Sequence, residues 1–324
     1  MSSIRLFLVA TAACAAPLIA ACGSSDSNND TPPTPTGAHH GYVVSAVTVP
    51  GDTGQASQFA LDFGTKTSSK PDGMNENAIG NLLATLHKLG MLDIQTPITQ
   101  SVDRGDLLLL IDVQADSLTS FAAAGFRVLY GATPSPLPCA SGTDTTCRQH
   151  LQGTGTFTIA PGSPTDAVVA GKISGSAFTG GPGDLAIKIA LAGATLDLTL
   201  IHARVQAGGI SDTGIMTATL GGLVLQSDLV SKIGPALTSS LNTTLMQDCT
   251  HDTAGCHCTT DNANTLLAFD ANADCLLSQD ELFGNTLVAP TLKPDTCSMD
   301  SCSAPDSLSM GIQVQAVKGS FTAP

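Results

Sequence analysis

Residues 184–205 read DLAIKIALAGATLDLTLIHARV. Leu185, Ile187, Ile189 and Leu191 fall on one face of an extended chain. After a turn at Ala192-Gly193, Leu196, Leu198 and Leu200 do the same. Side chains alternate across a strand with a period of two, so the stretch predicts a β-hairpin with one apolar face. Its other face carries small and polar residues, the pattern of an antiparallel sheet covered on one side.

The neighbouring chain extends the pattern. YVVSAVTV (42–49), SQFALDF (57–63), DLLLLIDVQAD (106–116) and FRVLYG (126–131) have strand character. SLSMGIQVQAVKGSF (307–321) closes the set, with Leu308, Met310, Ile312 and Val314 alternating. Two stretches switch period. In ENAIGNLLATLHKL, Ile79, Leu82, Leu83, Leu86 and Leu89 share a helical face. In QSDLVSKIGPALTSSLNTTLMQDC, Leu229, Ile233, Leu237, Leu241 and Leu245 recur every fourth residue. Ser227 is placed to cap that helix and Gly234-Pro235 to bend it. The expectation is an α+β, mainly β fold: an antiparallel sheet or sandwich with packed amphipathic helices and a Cys-rich segment. Residues 41–248 form the β-rich body, 249–306 the Cys-rich segment, and 307–324 a closing strand that returns to the sheet.

The start of the chain sets the compartment. Arg5 precedes an apolar run from Leu6 to about Ala21, which is short for a membrane helix and built like a signal peptide. Its end, Ile19-Ala20-Ala21-Cys22, resembles the lipobox of bacterial lipoproteins. That resemblance implies cleavage after residue 21 and a diacylglycerol-modified Cys22 thiol, so that a lipid anchor holds the chain to a membrane. Gly23, in place of Asp, implies the outer membrane of a bacterial cell envelope. GSSDSNNDTPPTPTGAHH (23–40) is too polar to pack. Residues 22–40 therefore read as a lipidated disordered tether, spanning roughly 25 Å, with His39 and His40 solvated at its end.

The formal net charge is −14, and loss of Arg5 takes it to −15. This argues against nucleic acid or anionic lipid as direct partners, since both want basic patches. An exported chain meets an oxidising compartment. Of its ten cysteines, Cys14 leaves with the signal peptide and Cys22 carries lipid, leaving eight for disulfides. Cys139 and Cys147 are isolated from the rest and pair. Cys297 and Cys302 are close neighbours. Cys249, Cys256, Cys258 and Cys275 form two bonds in an order left open. A zinc site in CTHDTAGCHC (Cys249, His251, Cys256, His257, Cys258) is the rival, but Cys-x-Cys is too close for finger spacing.

One stretch points to a metal. DANADCLLSQDE (270–281) resembles an EF-hand calcium loop. The resemblance implies calcium ligands at Asp270, Asn272, Asp274, the Leu276 carbonyl, Ser278 and Glu281. Leu277 is apolar, as the family prefers. NANTLLAF precedes the loop as an entering helix, and SQDELFGNTLVAPTL follows it, with Ser278 capping. The departure is Cys275, where the family uses Gly for its positive φ. A crosslink at Cys275 could hold that turn. A non-Gly hinge suggests a weak site, of the roughly 10⁻⁴ to 10⁻³ M extracellular class. EF-hands pair, and DTCSMDSCSAPD (295–306) is the best partner, although Cys297 and Met299 stand at two ligand positions. LDFGTKTSSKPDG (61–73) is a weaker one. The whole layout loosely resembles envelope lipoproteins of myxobacterial type, which brings no known activity.

No Gly-x-Ser-x-Gly, His-Glu-x-x-His or phosphate-loop motif is present, and AGKISG (170–175) lacks the upstream glycine such a loop needs. His87 and His202 have no evident catalytic neighbours. The sequence therefore favours a structural or recognition role over an enzyme. The alternative is an envelope-polymer hydrolase whose site is assembled from scattered residues.

Overall fold

The computed structural model describes residues 33–144, 146–191, 194–253 and 255–322. The stretch expected to be a signal peptide, Cys22, most of the stretch expected to be a tether, and Ala192-Gly193 lie outside the described residues. The described strands, helices and disulfides all fall in one compact unit that begins at Pro32.

The strands do not form an open sheet or a sandwich. β1 (His39–Thr48), β2 (Leu109–Gln114), β3 (Ser120–Ser135), β5 (Val169–Ser174), β6 (Ala177–Leu191), β7 (Ala194–Ser211), β8 (Gly214–Leu225) and β11 (Ser307–Ser320) close into an eight-stranded antiparallel barrel. The ring shuts where β1 pairs with β11, from Tyr42↔Lys318 to Thr48↔Gln313. This corrects the expected fold, and the reason is geometric. Period-two alternation yields one apolar face whether that face lies against a second layer or turns into a barrel. Bulges do the curving: between Val44 and Ala46, between Gly180, Gly183 and Leu185, and between Ile201 and Arg204. Inward positions such as Leu185, Ile187, Leu198, Leu200 and Val205 are buried, while Thr195, Asp197, Thr199 and Gln206 face outward and are exposed. A membrane-spanning barrel shows the opposite pattern, with an apolar outer band. Among the described residues no helix is long and apolar enough to cross a membrane.

Two helical inserts leave from the same end of the barrel. The first holds α1 (Thr53–Gln58), α2 (Ala78–Lys88) and α3 (Gln95–Arg104) between β1 and β2. The second holds α4 (Gln226–Asp228), a π turn (Leu229–Ile233), α5 (Gly234–Asp248), the β9–β10 hairpin (Cys249–Asp252, Gly255–Cys258), α6 (Asp261–Leu267) and α7 (Gln279–Gly284). α2 packs on β11 and α3 on β1 and β6, so the first insert roofs that mouth. Asn77 ties roof to wall: its Oδ1 accepts from the N–H of Gly80 and of Gly311 at 2.9 Å, and its Nδ2 donates to the Ala56 and Gly311 carbonyls. A Cβ at Gly311 would lie 2.0 Å from the Phe59 carbonyl oxygen, so only glycine allows this contact. The opposite end carries the short turns at 115–119, 175–176 and 212–213, together with the start of β1 and the end of β11. The connection between β3 and β5, which includes β4 (Gly155–Ile159), lies outside the ring, paired with β3 and with the end of β11. Leu109, Leu110 and Ile111 are all buried, so both faces of β2 are covered.

Several local expectations change. SQFALDF is not a strand: α1 ends at Gln58, and Leu61 and Phe63 then lie on the outer wall against Leu223 and Ile201. Their alternation reflects contact with the wall, not pairing along a strand. α3 was not legible, since only Ile98 and Val102 mark its buried face. Ser227 caps nothing; the helix starts at Gln226 and the π turn precedes Pro235, whose missing N–H would interrupt an α ladder. β1 opens at His39, inside the stretch assigned to the tether. His39 Nδ1 lies 2.9 Å from Asp112 Oδ2, which also accepts from Arg127 Nη1 at 3.0 Å.

Candidate functional site

The acidic loop is built between α6 and α7. Thr260 caps α6 by accepting from the Ala263 N–H. Ser278 and Glu281 form a reciprocal capping box at the start of α7. Between them the chain folds on its own carboxylates. Asp270 Oδ2 accepts from the Cys275 N–H at 2.9 Å, and Asp274 Oδ1 from the Leu276 N–H at 2.8 Å. Glu281 reaches back across the loop: Oε1 accepts from the Ala271 N–H at 3.0 Å, and Oε2 from the Ser278 N–H at 2.9 Å. These bonds, led by that from Ser278, hold the Glu281 pKa below its ordinary value, so it stays ionised. Cys275 has φ +64° and Ala273 φ +56°, both left-handed. The sixth position thus takes the backbone form for which the EF-hand family uses Gly.

Two partners hold the loop. Cys275 is bonded to Cys256, which ties the loop to the β9–β10 hairpin; Cys249 and Cys258 close that hairpin. Leu277 is buried, and Asn242 of α5 meets both its backbone groups, accepting from its N–H at 2.7 Å and donating to its carbonyl at 2.9 Å. Asn242 was missed in the sequence because a lone Asn in a helix carries no local signal. The 295–306 segment does not pair with the loop. It docks against residues 65–69, where Cys297 and Cys302 donate their N–H groups to the Thr65 and Thr67 carbonyls. Cys297 bonds Cys302 and Cys139 bonds Cys147.

The donor set of Asp270, Asn272, Asp274, Leu276, Ser278 and Glu281 is all oxygen, as a hard cation such as calcium requires. Its carboxylates are not drawn to one point, each being turned onto loop N–H groups. Among the described residues, three potential ligand atoms from His, Cys, Asp or Glu converge only at Cys249, Cys256 and Cys258. Disulfides consume all three sulfurs, so they offer no thiolate to zinc.

One further cleft holds carboxyl groups, between the start of α2 and residues 290–295. Burial raises Glu76 to about 7, with Asp72, Asp62 and Asp295 adding to the rise, and burial also raises Asp295. Asp295 is committed to β11, accepting from the Ser309 N–H and hydroxyl. Glu76 Oε2 in turn accepts from the Phe63 N–H at 3.2 Å, so both carboxyl groups of the cleft are tied to neighbouring backbone. His202, with φ +50°, has Nε2 2.8 Å from the Ser298 carbonyl and serves to dock the 295–306 segment. His87 Nδ1 lies 3.0 Å from the Gly51 carbonyl.

Fold and loop together define a class: an eight-stranded antiparallel barrel with a helical roof and a disulfide-pinned acidic loop. No family model matches the chain, and neither does any curated protein or solved structure.

Proposed function

We propose that the chain is a lipid-anchored protein of the bacterial cell envelope, held at the outer membrane through Cys22, with a weak calcium site at residues 270–281. Its role is structural or in recognition. Asp270, Asn272, Asp274, Ser278 and Glu281 would hold the ion with the Leu276 carbonyl. The observation that carries the metal part is the closed loop itself: Glu281 already bridges the loop start to α7, and Cys275 sits at positive φ under a disulfide. For the anchor, the support is the apolar run ending in Ile19-Ala20-Ala21-Cys22. β1 begins at the barrel end remote from the helical inserts that carry the loop.

Two experiments test this. Labelled fatty acid should be incorporated into the wild-type chain and not into Cys22→Ser; equal labelling of both removes the anchor. Calorimetry with calcium uses residues 33–324, because a start at 41 would cut away His39 and His40 of β1. At ten times the dissociation constant, calcium should add about 1.4 kcal/mol of stability, and magnesium should not. Glu281→Gln should abolish most of that gain, since it removes the charge and nearly keeps the shape. Absence of any calcium-dependent shift up to about 10 mM would leave the loop as a disulfide-held turn.

A further inference from the structure

A chamber of about 30 Å³ lies where the helical roof meets the barrel mouth. Val49, Ile189 and Leu196 of the barrel face Leu83 and Ile94 of the first insert and Ile233 of the second, and its lining is wholly apolar. A water molecule inside would find no hydrogen-bond partner, while the space suits one or two methyl-sized groups. Beside it, a cleft of about 370 Å³ opens over residues 48–51, Gln55, His87 and Gln95. Val49, Leu83 and Ile94 line both cavities. The outer cleft is therefore polar at its rim and apolar at its floor, and its floor is the wall of an apolar chamber.

The rim defines the head group. Gln55 Oε1 accepts from the Gly51 N–H at 2.8 Å, which leaves its amide N–H₂ to donate. His87 Nδ1 donates to the Gly51 carbonyl at 3.0 Å, which leaves Nε2 to accept while the ring is neutral. One donor beside one acceptor complements a hydroxyl. Gln95 adds no free group, because its Oε1 accepts from the Val49 N–H and its Nε2 donates to the Val47 carbonyl and Thr99. An anionic head is disfavoured, since Asp52 caps α1 beside Gln55 and the Asp93 carboxylate interacts with His87.

We propose that this cleft binds a small neutral amphiphile, its hydroxyl held by Gln55 and His87 and its aliphatic end passing Leu83 and Ile94 into the chamber. The combined space lies at the lower end of ligand-sized cavities, which sets a short tail, on the order of eight carbons. The site is independent of the calcium loop and of the anchor.

The test uses residues 33–324 and a series from 1-butanol to 1-octanol, followed by calorimetry and by methyl NMR. Saturable one-to-one binding is expected, with affinity rising along the series and shifts at the methyls of Leu83, Ile94 and Leu196. Leu196→Phe fills the chamber and should weaken 1-octanol at least tenfold while affecting 1-butanol less. Gln55→Ala should weaken every member by a similar factor. No saturable binding, affinity independent of chain length, or methyl shifts confined to another part of the barrel would overturn the proposal. The chain-length series decides on the wild-type protein alone should Leu196→Phe fail to fold; should it fold and bind 1-octanol as tightly as wild type, the chamber is only a packing void.

Discussion

His150 is fully buried, and among the described residues neither ring nitrogen makes a hydrogen bond of normal geometry. Phe157 meets it edge-on at 6.3 Å, Gly105 lies against it, and the charged groups nearby are Arg148 and Asp103, which pair with each other. Burial pushes its pKa below 6.5, against the smaller upward pull of the Val102 carbonyl and Asp103. The folded state therefore holds a neutral imidazole, and the unfolded chain takes up a proton that the folded chain does not. Stability attached to this residue is complete above pH 6.5 and declines as pH falls towards the lowered value, by at most about 1.4 kcal/mol per pH unit. His150→Phe keeps a ring and removes the proton. Thermal unfolding from pH 7 to pH 5 should show a smaller loss of stability in the variant than in wild type. Parallel losses in both would place the acid sensitivity elsewhere.

At the scale of the element, the 270–281 loop is shaped by one backbone angle and one crosslink. An L-residue at φ +64° costs on the order of 1 kcal/mol, and the Cys256–Cys275 bond holds Cys275 there. The two effects separate in a pair of double variants. Cys256→Ala with Cys275→Gly removes the crosslink and relieves the angle; Cys256→Ala with Cys275→Ala removes the crosslink alone. Thermal denaturation should find the glycine form about 1 kcal/mol more stable than the alanine form, with the larger calcium response. Equal stability in both would mean that the turn relaxes once the disulfide is gone. Asn242 has a comparable part, since its side chain meets both backbone groups of the buried Leu277.

For the whole molecule, closure makes β11 indispensable. It pairs with β8 along ten residue positions and with β1 along six, and α2 rests on it. In an open sheet, loss of a terminal edge strand would be a local event. In this barrel it exposes two unpaired strands, opens the core and unseats the roof. A chain ending at Asp306 should show no cooperative thermal transition by near-ultraviolet circular dichroism, whereas residues 33–324 should melt in one step. A cooperative melt in the shortened chain would show that the ring is stable with a strand missing.

The sequence by itself determined what is local. Period two marked most of the strands, and a period near four marked α2 and α5. The spacing of 270–281 marked an acidic loop entered and left by helices, and short separations paired Cys139 with Cys147 and Cys297 with Cys302. Tertiary structure decided the rest. Barrel closure depends on bulges and strand stagger accumulated over all eight strands, and one apolar face looks the same in a sheet and in a ring. The pairing of Cys256 with Cys275 and Cys249 with Cys258 depends on where the β9–β10 hairpin meets the loop. Glu76 titrates near neutrality because segments more than 200 residues apart bury it beside Asp295. Such burial is a sum over distant neighbours, and no window of the chain contains it.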